Sequence, residues 1–428
     1  MKRGLKRFYE YKERFEGILA QAKSAPEPNP MDVGFFELIV TLINETIYAA
    51  ENDKPLVSIW YGNAPEIFAA MDIYTEGPVD LVLANIPFTD YIERSHETPT
   101  PPDSCGLIRL AAMAVENGEL PTPKAIVPML EPCDTQSTVH EAAMKAEEWC
   151  DVPVFALDPP YGSTDEDWEY FAGELERMIE FLEDLFDTKM DYDRLREVID
   201  ETNRLYATWD ELNTLLEAVP CPLPSLVAGD QGWFVAQHTR AGTKEATKWF
   251  ETARDMAEAN VAAGIGAVPG EQIRMLLTDN NPTWLPHLVP WLAEKWGCNI
   301  VMSWQGLGGY TMIDTSTKES MLKGLARRAL NEVPMMRQSR GNLHNFLEDV
   351  RSCVTDYHLN AVWLPGHKGH KDQSGNIGFL RDVCAELGVP VLVTNCDVFD
   401  PTYTSIETLK RNFDEFFAAY GYKPLKQI

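Results

Sequence analysis

The chain has no uninterrupted apolar run near the roughly 20 residues that a membrane span needs. Its first residues, MKRGLKRFYEYKERFEG, are basic and amphipathic but have no apolar signal core. A cytoplasmic location with no membrane partner is therefore expected. Positive charge is also scarce: 37 Lys and Arg stand against 66 Asp and Glu, for a net charge of −29. A nucleic-acid partner, which demands a basic face for phosphates, is not expected. Such acidity favours solubility and also fits a halophilic habit. Eight cysteines in 428 residues are too few for a disulfide scaffold. There is no GxxxxGK[ST] loop and no GxGxxG that opens a helix, and Gly306-Leu307-Gly308-Gly309 does not replace them. No low-complexity tract or short repeat is present.

What is present alternates. Residues 1–50 read as a helical lead, with Phe35, Phe36, Leu38, Ile39, Leu42 and Ile43 near helical spacing. Strand-like runs follow at Leu56–Trp60, Asp80–Leu83, Ala125–Leu130 and Val152–Leu157. Helical stretches separate them, as in a parallel α/β sheet. Residues 166–265 read as a helical connecting region, with a break at Thr188–Asp191 and a Pro/Gly-rich connector over residues 218–232. Residues 266–428 repeat the alternation, with strands expected at Gln272–Thr278, Asn299–Ser303, Ala361–Leu364 and Val389–Thr394. The expected fold is therefore α/β: two parallel-sheet halves of Rossmann or flavodoxin type, residues 51–165 and 266–428, with helical N-terminal and connecting segments.

In open parallel sheets, ligands gather beyond the carboxyl ends of the strands. Three residues fall there or at a helix start. Cys133 follows the Ala125–Leu130 run in Glu131-Pro132-Cys133-Asp134. Cys105 opens the helical run Gly106-Leu107-Ile108-Arg109, where the helix dipole is expected to favour its thiolate. Thiolates are what iron–sulfur clusters bind. His370 lies in Pro365-Gly366-His367-Lys368-Gly369-His370-Lys371, after a buried strand. Each has a bland reading as a packed thiol or an ordinary loop residue. Most of the remaining cysteines, Cys150, Cys221, Cys298, Cys353, Cys384 and Cys396, are read as packed thiols. Trp284, Trp291, Trp296 and Trp304 are read as core.

Several segments resemble one family. KPLVSIWYGNAPEIFAA (54–70) is similar to its opening strand, turn and Pro-Glu helix. DSCGLIRLAAMAVENGELPTPKAIVPMLEPCD resembles its two-cysteine stretch, and LARRAL with Pro334 a further recurrent segment. GHKGHKDQSGNIGFLRDVCAELGVPVLVTNCDVFDP is similar to its third-ligand loop, and TSIETLKRNFDEFFAAY to its closing helix. On these residues the chain resembles the core subunits of the 2-hydroxyacyl-CoA dehydratases, the superfamily that also holds the ATP-dependent benzoyl-CoA reductases.

That resemblance implies a heterodimer with a homologous second subunit. It implies a [4Fe–4S] cluster, an acyl-CoA substrate and a separate ATP-hydrolysing iron–sulfur activator. The reaction would be radical, anaerobic loss of water from a 2-hydroxyacyl-CoA: one injected electron gives a ketyl radical that sheds the 2-hydroxyl and acidifies the β-hydrogen. Carried across residue by residue, the ligands are Cys105, Cys133 and His370. The last is a departure, because the family usually has cysteine where GHKGHK places His370. Three readings stay open: His370 binds iron through imidazole; another ligand such as water, substrate or Cys396 serves; or the cluster is altered or lost and the chain is a structural partner. An aromatic acyl-CoA reductase subunit is a further alternative. Asn63, Glu131 and Asp134 are expected to orient substrate or ligands. Cys105 and Cys133 are expected to face the second half across a cleft.

Overall fold

A computed structural model describes residues 4–59, 63–77, 94–97, 100–133, 136–280, 288–307 and 309–426. Two helices, Leu5–Ser24 and Pro30–Glu51, form the N-terminal lead and pack on each other. By length and composition Pro30–Glu51 is apolar enough to cross a membrane, which the absence of a long uninterrupted run did not suggest. It carries Asp32, Glu37 and Glu45 and also packs against Lys244–Ala263.

The first sheet joins β1 (Leu56–Ile59), β2 (Tyr74–Glu76) and β3 (Ala125–Val127), all parallel, in the order β2-β1-β3. The expected Ala125–Leu130 strand is cut short at Pro128, which has no N–H to donate to a ladder. Val152–Leu157 is not a strand: Val154 and Leu157 make single bridges to Ile126 and Met129 beside β3. Pro153 interrupts donation there too. The three-residue β2 was not expected, being too short for a pattern of period two to show. The expected strand Asp80–Leu83 lies outside the described residues.

The second sheet, also parallel, joins β4 (Ile273–Leu277), β5 (Cys298–Ser303), β6 (Ala361–Leu364) and β7 (Val391–Val393) in the order β5-β4-β6-β7. Strands β4, β5 and β6 are buried along their length, and their mostly apolar sequences, interrupted by Arg274, Asn299 and Ser303, suit that position. In both sheets the first strand lies between the second and third, so the chain reverses direction across the sheet there. Such a reversal opens a crevice at the carboxyl ends.

Between the sheets run Asp165–Phe186 and Tyr192–Leu216. Their break falls where Asp187 turns left-handed and Asp191 caps the next helix through the amides of Asp193 and Arg194. The connector over residues 218–232 holds a π-helical turn, Val227–Gln231.

The hydrophobic cores interleave distant parts of the sequence. Met321, Leu325, Leu330 and Met336 pack with Val57 and Val127 of the first sheet and Phe68 of the helix Pro65–Ala70. Cys396, Val398 and Phe399, just after β7, pack with Cys105, Leu110 and Ile126. The carboxyl end of the second sheet is thereby pressed against the helix that begins at Cys105.

Candidate metal centre

The loop between β6 and the helix Lys371–Glu386 carries His367 and His370. It is pinned to the end of β7: the Lys368 amide donates to the Cys396 carbonyl at 2.9 Å, and the Cys396 amide to the Gly366 carbonyl at 3.3 Å. Gly366 has φ 67°, and a Cβ there would lie 2.2 Å from the Thr394 carbonyl oxygen, so only glycine fits.

Asp279, just past β4, organises this loop. Its carboxylate is fully buried. It accepts from the amide of Asn280 at 2.7 Å and from that of His367 at 3.3 Å. Its Oδ1 also stands 2.7 Å from Nδ1 of His370. Burial pulls the His370 pKa down, but the Asp279 carboxylate outweighs it and raises the ring above its usual value. Trp304, past β5, faces His370 with ring centroids 6.1 Å apart. Trp304 and Gln305 both donate to the Asn280 side chain. Trp304 and Trp296 are buried as expected, and Trp284 lies outside the described residues.

Cys105 precedes the helix Gly106–Glu116 and is buried. The expected easing of its ionisation is overturned. Burial, then the charges of Asp397 and Cys133, push the thiol well above its ordinary pKa, and the amides of Ile108 and Leu107 only partly oppose them. Asp397 takes the helix terminus for itself: its Oδ2 accepts from the Gly106 amide at 3.0 Å. Arg109 and Lys368 each stand 3.5 Å from Asp397, and Arg109 also binds Asp400 at 2.8 Å. No cleft separates Cys105 from the second half. A Cβ on Gly369 would lie 2.5 Å from Cys105 Cβ, so the loop and the cysteine are in direct contact.

Cys133 follows β3 and is partly exposed. Its charge is felt at Cys105. Cys396 is buried, and its thiol donates to the Pro365 carbonyl at 3.3 Å, which ties it into the loop's underside.

Two of the other expected site residues have the following contacts. Asn63 donates to the Val127 carbonyl at 3.3 Å and so bridges the ends of β1 and β3. It lines a cavity of about 30 Å³ with Glu45, Gln237 and Arg240, room for about one water. Glu131 accepts a hydrogen bond from the Tyr161 hydroxyl at 3.0 Å. Asp134 lies outside the described residues.

The donor types suit a thiophilic metal: two thiols and an imidazole whose Nδ1 is engaged, which leaves Nε2 available. Among the described residues, no three His, Cys, Asp or Glu side chains are already set as a cage for an ion. Sequence reasoning missed Asp279, His367 and Asp397. The polar run Thr278-Asp279-Asn280 directly after a buried strand was the available signal for the first.

Residues 62–418 match the family model described as 2-hydroxyglutaryl-CoA dehydratase, D-component. Comparison with curated proteins gave no match.

Proposed function

The chain belongs to the 2-hydroxyglutaryl-CoA dehydratase D-component family, and on that premise we propose that it is the iron–sulfur subunit of a radical 2-hydroxyacyl-CoA dehydratase. A D-component is one part of a multi-component dehydratase. In this reading it pairs with a homologous second subunit as a heterodimer in the cytoplasm and takes its electron from a separate ATP-hydrolysing activator.

The observation that carries the reading is the Asp279–His370 contact of 2.7 Å on a loop pressed against Cys105. A carboxylate that holds one ring nitrogen of histidine fixes the ring and makes the other nitrogen a better metal donor. Cys105, Cys133 and His370 would hold a [4Fe–4S] cluster. When bound, such a cluster supplies one-electron transfer and, at an open iron, a Lewis acid for a substrate oxygen.

The chain's own residues then have defined tasks. Asp279 orients His370. Gly366 and Gly369 let the loop approach β7 and Cys105. The buried Cys105 thiol gives up its proton only against a strong local positive charge, so loading should release protons. Trp304 covers one side of the His370 ring and limits water there. Asn63, Glu131 and Asp134 are assigned to substrate positioning near the ends of β1 and β3.

Strictly anaerobic purification with the partner subunit tests this. Iron in the separated chain, with ATP- and activator-dependent loss of water from a 2-hydroxyacyl-CoA, is the expected result. Full activity of the assembly with no iron in this chain would make it a structural partner. Ring reduction of an aromatic acyl-CoA without dehydration would make it a reductase subunit.

A further inference from the structure

Two imidazoles stand side by side after β6, their ring centroids 4.6 Å apart and their planes nearly perpendicular. They are wired in opposite senses. In His370 the carboxylate of Asp279 faces Nδ1, so Nδ1 carries the proton and Nε2 keeps a lone pair. In His367 the Val398 amide donates to Nδ1 at 3.1 Å, so Nδ1 supplies the lone pair and Nε2 carries the proton.

The His367 side chain is completely buried, and its Nε2 has no hydrogen-bond partner among the described residues. A buried N–H left unpaired is costly, because the hydration it loses is not replaced. His367 Nε2 lies beside the contact between the loop and Cys105. The point where a Gly369 Cβ would sit lies 2.7 Å from His367 Nε2 and 2.5 Å from Cys105 Cβ. Any residue other than glycine at 369 would fill the space between donor and cysteine.

We propose that His367 is a positioning residue whose Nε2–H, unpaired among the described residues, is placed to donate a hydrogen bond to sulfur bound against Cys105, or to the Cys105 sulfur once it turns toward the ring. This rests on the metal reading above and adds a division of labour: His370 offers a lone pair, His367 a proton. His367 cannot act as a ligand in this tautomer. Hydrogen bonds to the sulfurs of a cluster raise its reduction potential, because they stabilise the added negative charge.

The test compares reconstituted parent, His367→Leu and His367→Gln by reduction potential and iron content. His367→Leu should keep its iron and shift to a more negative potential. His367→Gln, whose amide also donates, should return toward the parent. An unchanged potential in His367→Leu overturns the proposal. If His367→Leu fails to fold, or the parent holds no cluster, ¹⁵N-histidine spectra of the metal-free parent and of Cys105→Ala decide. An Nε2–H tautomer whose resonance moves on Cys105→Ala supports the donor role. An Nδ1–H tautomer, or an Nε2–H signal indifferent to Cys105, overturns it. A parent without iron thus defeats the metal reading alone and leaves this test standing.

Discussion

Oδ1 of Asp279 and Nδ1 of His370 stand 2.7 Å apart, although the two residues are 91 positions distant in the chain. One buried carboxylate past β4 thus sets both the ring and, through the His367 amide, the backbone of the loop past β6. Asp279→Asn keeps the size but has one acceptor oxygen, so it can hold the Asn280 amide or the His367 amide and not both, and it loses the charge that fixes the His370 tautomer. Metal affinity should fall about 10- to 100-fold, as is usual on loss of such a partner. Competition with a chelator at fixed pH measures it. Iron retention equal to the parent would mean that Asp279 only shapes the loop.

Glu66 and Arg328 tie the first sheet to the segment that follows Lys318–Arg327. Arg328 Nη1 donates to Glu66 Oε1 at 3.0 Å and to Thr202 Oγ1 at 3.2 Å, and Nη2 donates to Asn203 Oδ1 at 2.7 Å. Its guanidinium carbon lies 4.4 Å from the centre of the Tyr206 ring. Both ends of the pair are buried. Arg328→Met should cost about 3–5 kcal/mol, since it leaves the Glu66 carboxylate buried and unmatched. The double variant with Glu66→Gln should recover part of that loss. Denaturant midpoints decide it, and a double variant no better than Arg328→Met would show that the two charges do not compensate each other.

Asp230 sits on the π-helical turn, where its Oδ1 accepts from the Ser303 hydroxyl at 3.1 Å. Burial raises its carboxyl from the ordinary 3.8 to about 7, against the opposing hydrogen bond from Ser303. Between those values the folded state holds a proton that the unfolded state has lost. Its contribution to stability is therefore complete below about pH 4 and lost as pH rises through about 7. Asp230→Asn, which cannot ionise, should stabilise the protein above pH 7 by roughly 1–2 kcal/mol and change little at pH 4. Melting temperatures across that range check the sign; equal effects at both ends would place the Asp230 pKa near its ordinary value.

The two parallel sheets were legible because their buried strands are mostly apolar, as at Ala361–Leu364 and, apart from Arg274, at Ile273–Leu277. Strand ends were misjudged where proline removed a donor, at Pro128 and Pro153. The positions of Cys105, Cys133 and His370 could be read from the strand–loop–helix order. The Cys105 environment could not. Its helix-start position argued for an easy thiolate, while the carboxylate that occupies that terminus comes from Asp397, 291 positions after Gly106. Likewise, His367 and His370 are alike in sequence, and only Val398 and Asp279, brought in by folding, give them opposite tautomers.

If Cys105, Cys133 and His370 hold one iron–sulfur cluster, iron content after strictly anaerobic preparation will show it. The parent should carry iron, and Cys105→Ala, Cys133→Ala and His370→Ala should each lose it. His370→Cys should restore a cluster at a lower potential, because thiolate donates more charge than neutral imidazole. Iron content and spectrum unchanged in all three alanine variants, or a parent that never holds iron, would contradict the account.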